Sequence, residues 1–185
     1  MTNPGWVTAS VNQPARTAAS EVEKTSHIER LFSQHYEPLV KSLCFIVFDR
    51  ELAADVAQEA FFQLYRKWDR ISNYEDPASW VYRVAINRCK DHRRALARAT
   101  RLLERLAASS SAGDGASWAP ELESKDALRR LPSRQRTATA LHYVAGLSVA
   151  QVATAMGISE GAVKSHLFRA REALRSELEV ESWAE

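Results

Sequence analysis

Residues 148–175 read SVAQVATAMGISEGAVKSHLFRAREALR, and the fold follows from how this stretch is parsed. Ser148 and Gln151 have the S-x-x-Q spacing of a capping box, in which each side chain satisfies the other's backbone amide at a helix start. The box predicts a short helix, VAQVATAM. Gly157 can take the left-handed backbone that a sharp turn needs. Ile158 fills the corner, and Ser159 supplies the cap of a second helix. In that helix Val163, Leu167, Ala170 and Leu174 fall within one narrow arc at about 100° per residue. Lys164, Ser165, Phe168, Arg169 and Arg175 point away from it. Two helices joined by a Gly turn in this way predict a helix-turn-helix, whose second helix enters the DNA major groove.

The outer face suits that placement. Arg donates two hydrogen bonds to guanine, Ser contacts bases or phosphate, and Phe packs on a thymine methyl. An outward Phe168 is otherwise costly, because it leaves apolar area in water. The bland alternative is a helical hairpin that binds no DNA. It does not account for the capping box, the Gly turn, the plugging Ile and the basic outer face together. Just upstream, LPSRQRTATALHYVAG (residues 131–146) reads as a further helix, with Pro132 suited to its start and Gly146 to its end.

Helical spacing extends over residues 121–178 and, separately, over residues 27–105. Between them AASSSAGDGASWAP, Ala107 to Pro120, is small and polar, and residues 106–120 read as a flexible linker. Residues 1–26 are polar, Ala/Ser/Thr-rich and without periodicity, which predicts a disordered arm. Residues 179–185 form an acidic tail. No internal repeat and no alternating strand pattern is evident. The expected fold class is all-α: two small helical domains on a tether.

In the first block, DVAQEAFFQLYRKW (residues 55–68) places Ala57, Phe61, Leu64 and Trp68 on one helical face. Asp55, Gln58, Glu59, Phe62 and Arg66 share the other. An apolar anchor within a charged rim suits a protein–protein contact. The alternative is that Phe62 packs against a neighbouring helix. Further on, NYEDPASWVYRVAINRCKDHRR (residues 73–94) has Pro77 and Ser79 marking a helix start. Arg83, Asn87, Lys90 and Arg94 project one way as a polar stripe, with Trp80 and Tyr82 beside its start. Val81, Val84, Ala85 and Arg88 project the other way, the Arg88 stem able to cover apolar surface. A basic stripe follows a sugar-phosphate backbone, aromatics stack unpaired bases, and Asn offers a base edge both donor and acceptor. The pattern suits opened DNA, unless Trp80 and Tyr82 are simply core.

Charge divides along the same lines. The chain of 185 residues has a formal net charge of +2. Residues 83–105 hold eight basic and two acidic residues, as do residues 128–176, each block balancing at +6. The segment between them balances at −3 and the tail from Glu177 at −4. Two basic blocks suggest two contacts with one long polyanion, where the alternative is a pair of solvated helix faces. No stretch approaches the roughly 20 apolar residues that span a bilayer. The start MTNPGWVTAS lacks the basic and apolar parts of a secretory signal. Cys44 and Cys89 have no metal-ligand spacing, so reduced thiols in a cytoplasmic protein are expected. The five histidines are scattered, no Ser/His/Asp or Cys/His set has supporting context, and no Gly-rich phosphate loop is present. An enzyme, a metal site and a cofactor are therefore not expected.

In order, DVAQEAFFQLYRKW, SWVYRVAINRCKDHRR, a variable linker, and LPSRQRTATALHYVAGLSVAQVATAMGISEGAVKSHLFRAREAL resemble the extracytoplasmic-function sigma factors of bacterial RNA polymerase. The resemblance spans residues 28–178. It implies a sigma2-type N-terminal bundle and a sigma4-type helix-turn-helix domain. It implies that Asp55, Gln58, Glu59, Phe62 and Arg66 dock on the clamp helices of the polymerase's largest subunit. Trp80, Tyr82, Arg83, Asn87, Lys90 and Arg94 would recognise and help open the promoter −10 element, with Asn87 matching a position that holds a flipped base. Lys164, Ser165, His166, Phe168 and Arg169 would read the −35 element. Members are commonly held inactive by an anti-sigma factor. TATAL at residues 137–141, His142 and His166 depart from the usual pattern, which places a more apolar run and two arginines there. A neutral His166 weakens phosphate attraction and alters the preferred −35 sequence. The rival function is a stand-alone helix-turn-helix regulator of closed duplex DNA, which leaves the N-terminal block without a role.

Overall fold

The computed structural model describes residues 13–106 and 124–182. Among these residues regular structure is entirely helical. The first helix, α1 (Gln13–Val47), is followed by α2 (Arg50–Arg66), the single turn α3 (Trp68–Ile71) and the long α4 (Pro77–Leu106). The C-terminal half holds α5 (Ser124–Arg130), α6 (Ser133–Thr139), a π-helical segment (Ala140–Val144), α7 (Val149–Met156) and α8 (Glu160–Ser182). The expected disordered arm is corrected in part: residues 13–26 continue α1 as helix. Residues 1–12 of that arm, linker residues 107–120 and tail residues 183–185 lie outside the described residues.

Local chemistry explains the boundaries. Asp49 starts α2 by accepting the Leu52 amide at 3.0 Å. The helix expected to run through Trp68 breaks at Lys67, which has φ −113°. Pro77 opens α4, where its missing N–H costs nothing. The Asp76 carboxylate just before it accepts the Ser79 amide at 3.0 Å. The helix expected over residues 132–145 forms, but widens to π geometry at its end, with the Ala145 amide donating to Ala140 at 3.0 Å. His142 Nδ1 lies 2.7 Å from the Leu147 carbonyl, tying that widened end to the next turn.

The N-terminal bundle buries Leu39 and Leu43 of α1, Ala57, Phe61 and Leu64 of α2, and Val81, Tyr82 and Ile86 of α4. The C-terminal helices bury Ala138, Leu141, Val152, Val163 and Leu167. These two sets are not separate: they join in one continuous apolar core. Helix α7 lies against α4, and the π segment lies against α1. The two expected helical domains are present, and here they pack against each other.

Candidate nucleic-acid and polymerase interface

The helix-turn-helix forms as its sequence requires. Ser148 Oγ accepts the Gln151 amide at 3.2 Å, and Gln151 Oε1 accepts the Ser148 amide at 3.0 Å. Gly157 has φ 67° and ψ 42°, the left-handed conformation that ends α7. Ser159 Oγ then accepts the Ala162 amide at 3.2 Å and starts α8. Val163, Leu167 and Ala170 are buried and Leu174 half-buried, so α8 is fixed by one face only. Lys164, Ser165, Phe168, Arg169 and Arg175 are exposed, and Phe168 keeps 58% of its surface in solvent. His166 sits between the faces, half-buried, with its Nδ1 buried and unpartnered. The outer face is thus a cationic strip with one aromatic anchor.

Helix α2 divides equally cleanly. Ala57, Phe61 and Leu64 are buried and Trp68 is half-buried, while Asp55, Gln58, Phe62 and Arg66 are exposed. Phe62 is 55% exposed, so it does not pack into a neighbouring helix. The Arg66 guanidinium lies 5.8 Å from its ring centre. Glu59 is half-buried and accepts from Gln63 at 2.8 Å and from Arg88 at 3.0 Å. These bonds, that from Gln63 foremost, hold its carboxyl below the ordinary value. Arg88 is exposed, and its guanidinium ties α4 to α2 through Glu59. Sequence reading missed Tyr65, 46% exposed one turn beyond Phe62 on the same surface. The i, i+3 spacing from Phe62 was the signal that could have found it.

On α4, Arg83, Asn87 and Arg94 are exposed and Lys90 is half-buried. Trp80 is half-buried. Tyr82 departs from expectation: its ring is fully buried against His35, with centroids 6.0 Å apart, and offers no surface for stacking a base. The physical reason is register. Tyr82 falls on the same side of α4 as Val81, Ala85 and Ile86, which face the bundle. Burial pushes its hydroxyl up to about 12. Cys89 is also buried, its thiol pushed up to about 11 by desolvation, while Cys44 is half-buried.

Besides the shared apolar core, polar and cation contacts join the two halves. Gln151 Nε2 donates to Asp76 Oδ2 at 3.0 Å. The Arg83 guanidinium approaches the turn, 3.8 Å from where a Cβ on Gly157 would stand. Phe48, at φ 57° in the gap between α1 and α2, places its ring between Arg129 and Arg136, at 4.9 and 5.0 Å. A phenylalanine in the left-handed region is strained, and the two guanidinium contacts offset that cost. No group of metal-binding side chains and no helix long and apolar enough to cross a membrane occurs among the described residues.

Residues 32–99 match the family model of sigma-70 region 2, and residues 124–174 match that of sigma-70 region 4. The RNA polymerase sigma-H factor of Pseudomonas aeruginosa is 33% identical over 147 residues, 72% of this chain and 76% of that one. The chain is an extracytoplasmic-function sigma factor. A second relative of this sigma factor, SigM of Mycobacterium tuberculosis, is 32% identical over 77% of this chain and 72% of its own length. Among solved structures, the sigma factor RpoE bound to the anti-sigma factor NepR, from Bartonella quintana, superposes with a TM-score of 0.67. Its identity is 22%, and the match covers 82% of this chain and 96% of that one. CnrH in complex with the cytosolic domain of CnrY gives a TM-score of 0.59 at 20% identity, over 84% and 90% of the two chains. Both share the fold. As a sigma factor the chain serves RNA polymerase in promoter-directed transcription, a role that calls for no catalysis by the factor itself.

Proposed function

We propose that the three exposed faces divide the labour of initiation. Asp55, Gln58, Glu59, Phe62 and Arg66 dock on the polymerase clamp helices. Trp80, Arg83, Asn87, Lys90 and Arg94 engage the −10 element as it opens, with Asn87 receiving an extruded base. Tyr82 supports this face from beneath and does not touch DNA. Lys164, Ser165, His166, Phe168 and Arg169 read the −35 element in the major groove. The chain works in the cytoplasm, beside the polymerase, and an anti-sigma factor covering these faces holds it inactive. What supports the reading is the pair of exposed aromatics on charged faces, Phe62 and Phe168, at 55% and 58% exposure. Each is large, apolar and mostly in solvent, and each suits an interface anchor.

Opening DNA costs a few kcal/mol for each unstacked step. Base capture at Asn87 and stacking on a half-buried Trp80 return part of that, roughly 1–3 kcal/mol per stacked base. Run-off transcription with core polymerase on a library of promoter fragments tests the proposal. The parent chain should select a two-part motif, and Phe62→Ala should lose transcription while keeping the parent's melting temperature and −35 duplex binding. Full transcription by Phe62→Ala would remove the α2 face from the docking site.

A further inference from the structure

The closed packing creates a crevice that neither half possesses alone. It is a cavity of about 540 Å³ between α4, the end of α1, α6 and the turn of the helix-turn-helix. Lys90, Arg93 and Arg94 line it from α4, and Arg134 and Arg136 from α6. One carboxylate lines it, Asp49, which is engaged in starting α2. The cations sense each other across the gap. Desolvation, then Arg134 and the neighbouring arginines of α4, push the Lys90 ammonium down. Burial, then Arg93, does the same to Arg136, whose Nε is buried without a partner. Arg94 pairs with Asp91 at 3.4 Å, and the Arg136 guanidinium donates to the Arg129 carbonyl at 3.0 Å and lies over Phe48. Even so, five cations around one crevice oppose the packing that the apolar core favours.

We propose that this crevice is a binding site for a small multivalent phosphate that bridges α4 and α6 and holds the chain closed. A diphosphate group offers enough oxygens to take charge-assisted bonds from both walls, and the cavity is large enough for a nucleotide. Ile46, Leu52 and Ile158 give the wall an apolar part available to a base, beside the polar His92, Ser133 and Thr137. The bound anion occupies Lys90 and Arg94 and keeps the turn at Gly157 against Arg83. Its regulatory consequence rests on the DNA-reading roles proposed for those residues: the ligand and the −10 strand compete for the same cations. The binding itself does not depend on them.

The test uses the full chain without polymerase or DNA. Inorganic pyrophosphate, ATP and sodium sulfate are titrated calorimetrically at equal ionic strength, with the radius of gyration followed by X-ray scattering. Pyrophosphate should bind saturably at one site, about tenfold or more tighter than sulfate, and should not enlarge the radius of gyration. Arg93→Gln with Arg134→Gln should weaken it by about tenfold or more, and either change alone by less. Both side chains are exposed, so the variants should fold. Arg98→Gln, further along α4, should bind like the parent. Equal affinity for ATP and pyrophosphate assigns the site to phosphate alone, and tighter ATP assigns it to a nucleotide. An absent saturable phase, sulfate binding as well as pyrophosphate, or unchanged binding by the double variant overturns the proposal. Such a failure would leave promoter reading untouched, since transcription is measured separately.

Discussion

Replacing Gln151 by Glu separates the closing contact from the helix-turn-helix it belongs to. In the parent chain Gln151 Oε1 completes the capping box of α7, and Nε2 donates to Asp76. Glutamate serves a capping box as well as glutamine does, so α7 keeps its start. At Asp76 the change exchanges an N–H donor for a second carboxylate. A hydrogen bond to a charged group contributes roughly 1.5–3 kcal/mol. Two carboxylates about 4 Å apart repel by about 4 kcal/mol at an effective dielectric near 20. Asp76 is only half-buried, so rotamer change and solvent remove most of that repulsion. The net expectation is about 2–3 kcal/mol against closure, or roughly a 30- to 150-fold change in the closed-to-open ratio.

Small-angle X-ray scattering should show a larger radius of gyration for Gln151→Glu at pH 7.5. Acidification should reverse the difference in the variant alone. A carboxylate pair retains a shared proton above the ordinary range, so closure should begin to return as pH falls toward about 5. In the parent chain burial opposes ionisation of Asp76, but bonds from the Ser79 hydroxyl and amide, from Gln151 and from the Ala78 amide outweigh it. Its carboxyl is held below the ordinary value, so its stabilisation is complete above the unfolded pKa of about 3.9. That stabilisation fades only as pH falls through the lower folded value, and the parent should not respond between pH 7.5 and 5. A variant as compact as the parent at pH 7.5 would show that Asp76–Gln151 does not hold the halves together. Expansion indifferent to pH would refute the electrostatic reasoning.

Arg169→Ala should lose roughly 1–3 kcal/mol of discrimination among −35 sequences, measured by competition binding; equal weakening on every sequence would indicate a phosphate contact instead. Gly157→Ala should lower stability by about 1–2 kcal/mol in denaturant melts, because φ is +67° while the nearest atom, at 3.8 Å, leaves room for the methyl group. Tyr82→Phe should be neutral or slightly stabilising and transcribe normally, since its buried hydroxyl has no partner; a specific loss of promoter opening would return Tyr82 to the DNA surface.

What the sequence discloses and what it hides differ in kind. The helix-turn-helix was legible residue by residue, because a capping box, a left-handed Gly and an arc of apolar positions are local and few structures satisfy them together. The outer face of α2 was legible for the same reason: Asp55, Gln58, Phe62 and Arg66 are one face at helical spacing, whatever the rest of the chain does. Tyr82 was misplaced because a polar-tipped aromatic beside a basic stripe fits both core and surface, and a rotation of one residue decides. The Arg88–Glu59 pair was hidden because Glu59 lies 29 residues away and on another helix. The N-terminal extension of α1 escaped notice because Ala, Glu and Lys allow helix without leaving a strong apolar period.

The packing of the two halves was hidden most deeply, and it bears most on function. No local pattern links Asp76 to Gln151 or Phe48 to Arg136; the contacts exist only after both bundles have formed. Yet they place the turn of the helix-turn-helix against Arg83 of α4. On the proposed division of labour, two readers that grip a promoter at separate places cannot do so while α7 lies on α4. The cations repel each other across the crevice, so the closed form is held by apolar burial and a few polar contacts against its own charge. A polyanion of either kind resolves that conflict: a small one by filling the crevice, a long one by drawing the halves apart. Raising NaCl alone screens the repulsion and strengthens apolar burial together. Where no anion is bound, moderate salt should therefore make the free chain more compact, and an expansion at those concentrations would mean that ion pairs dominate the contact.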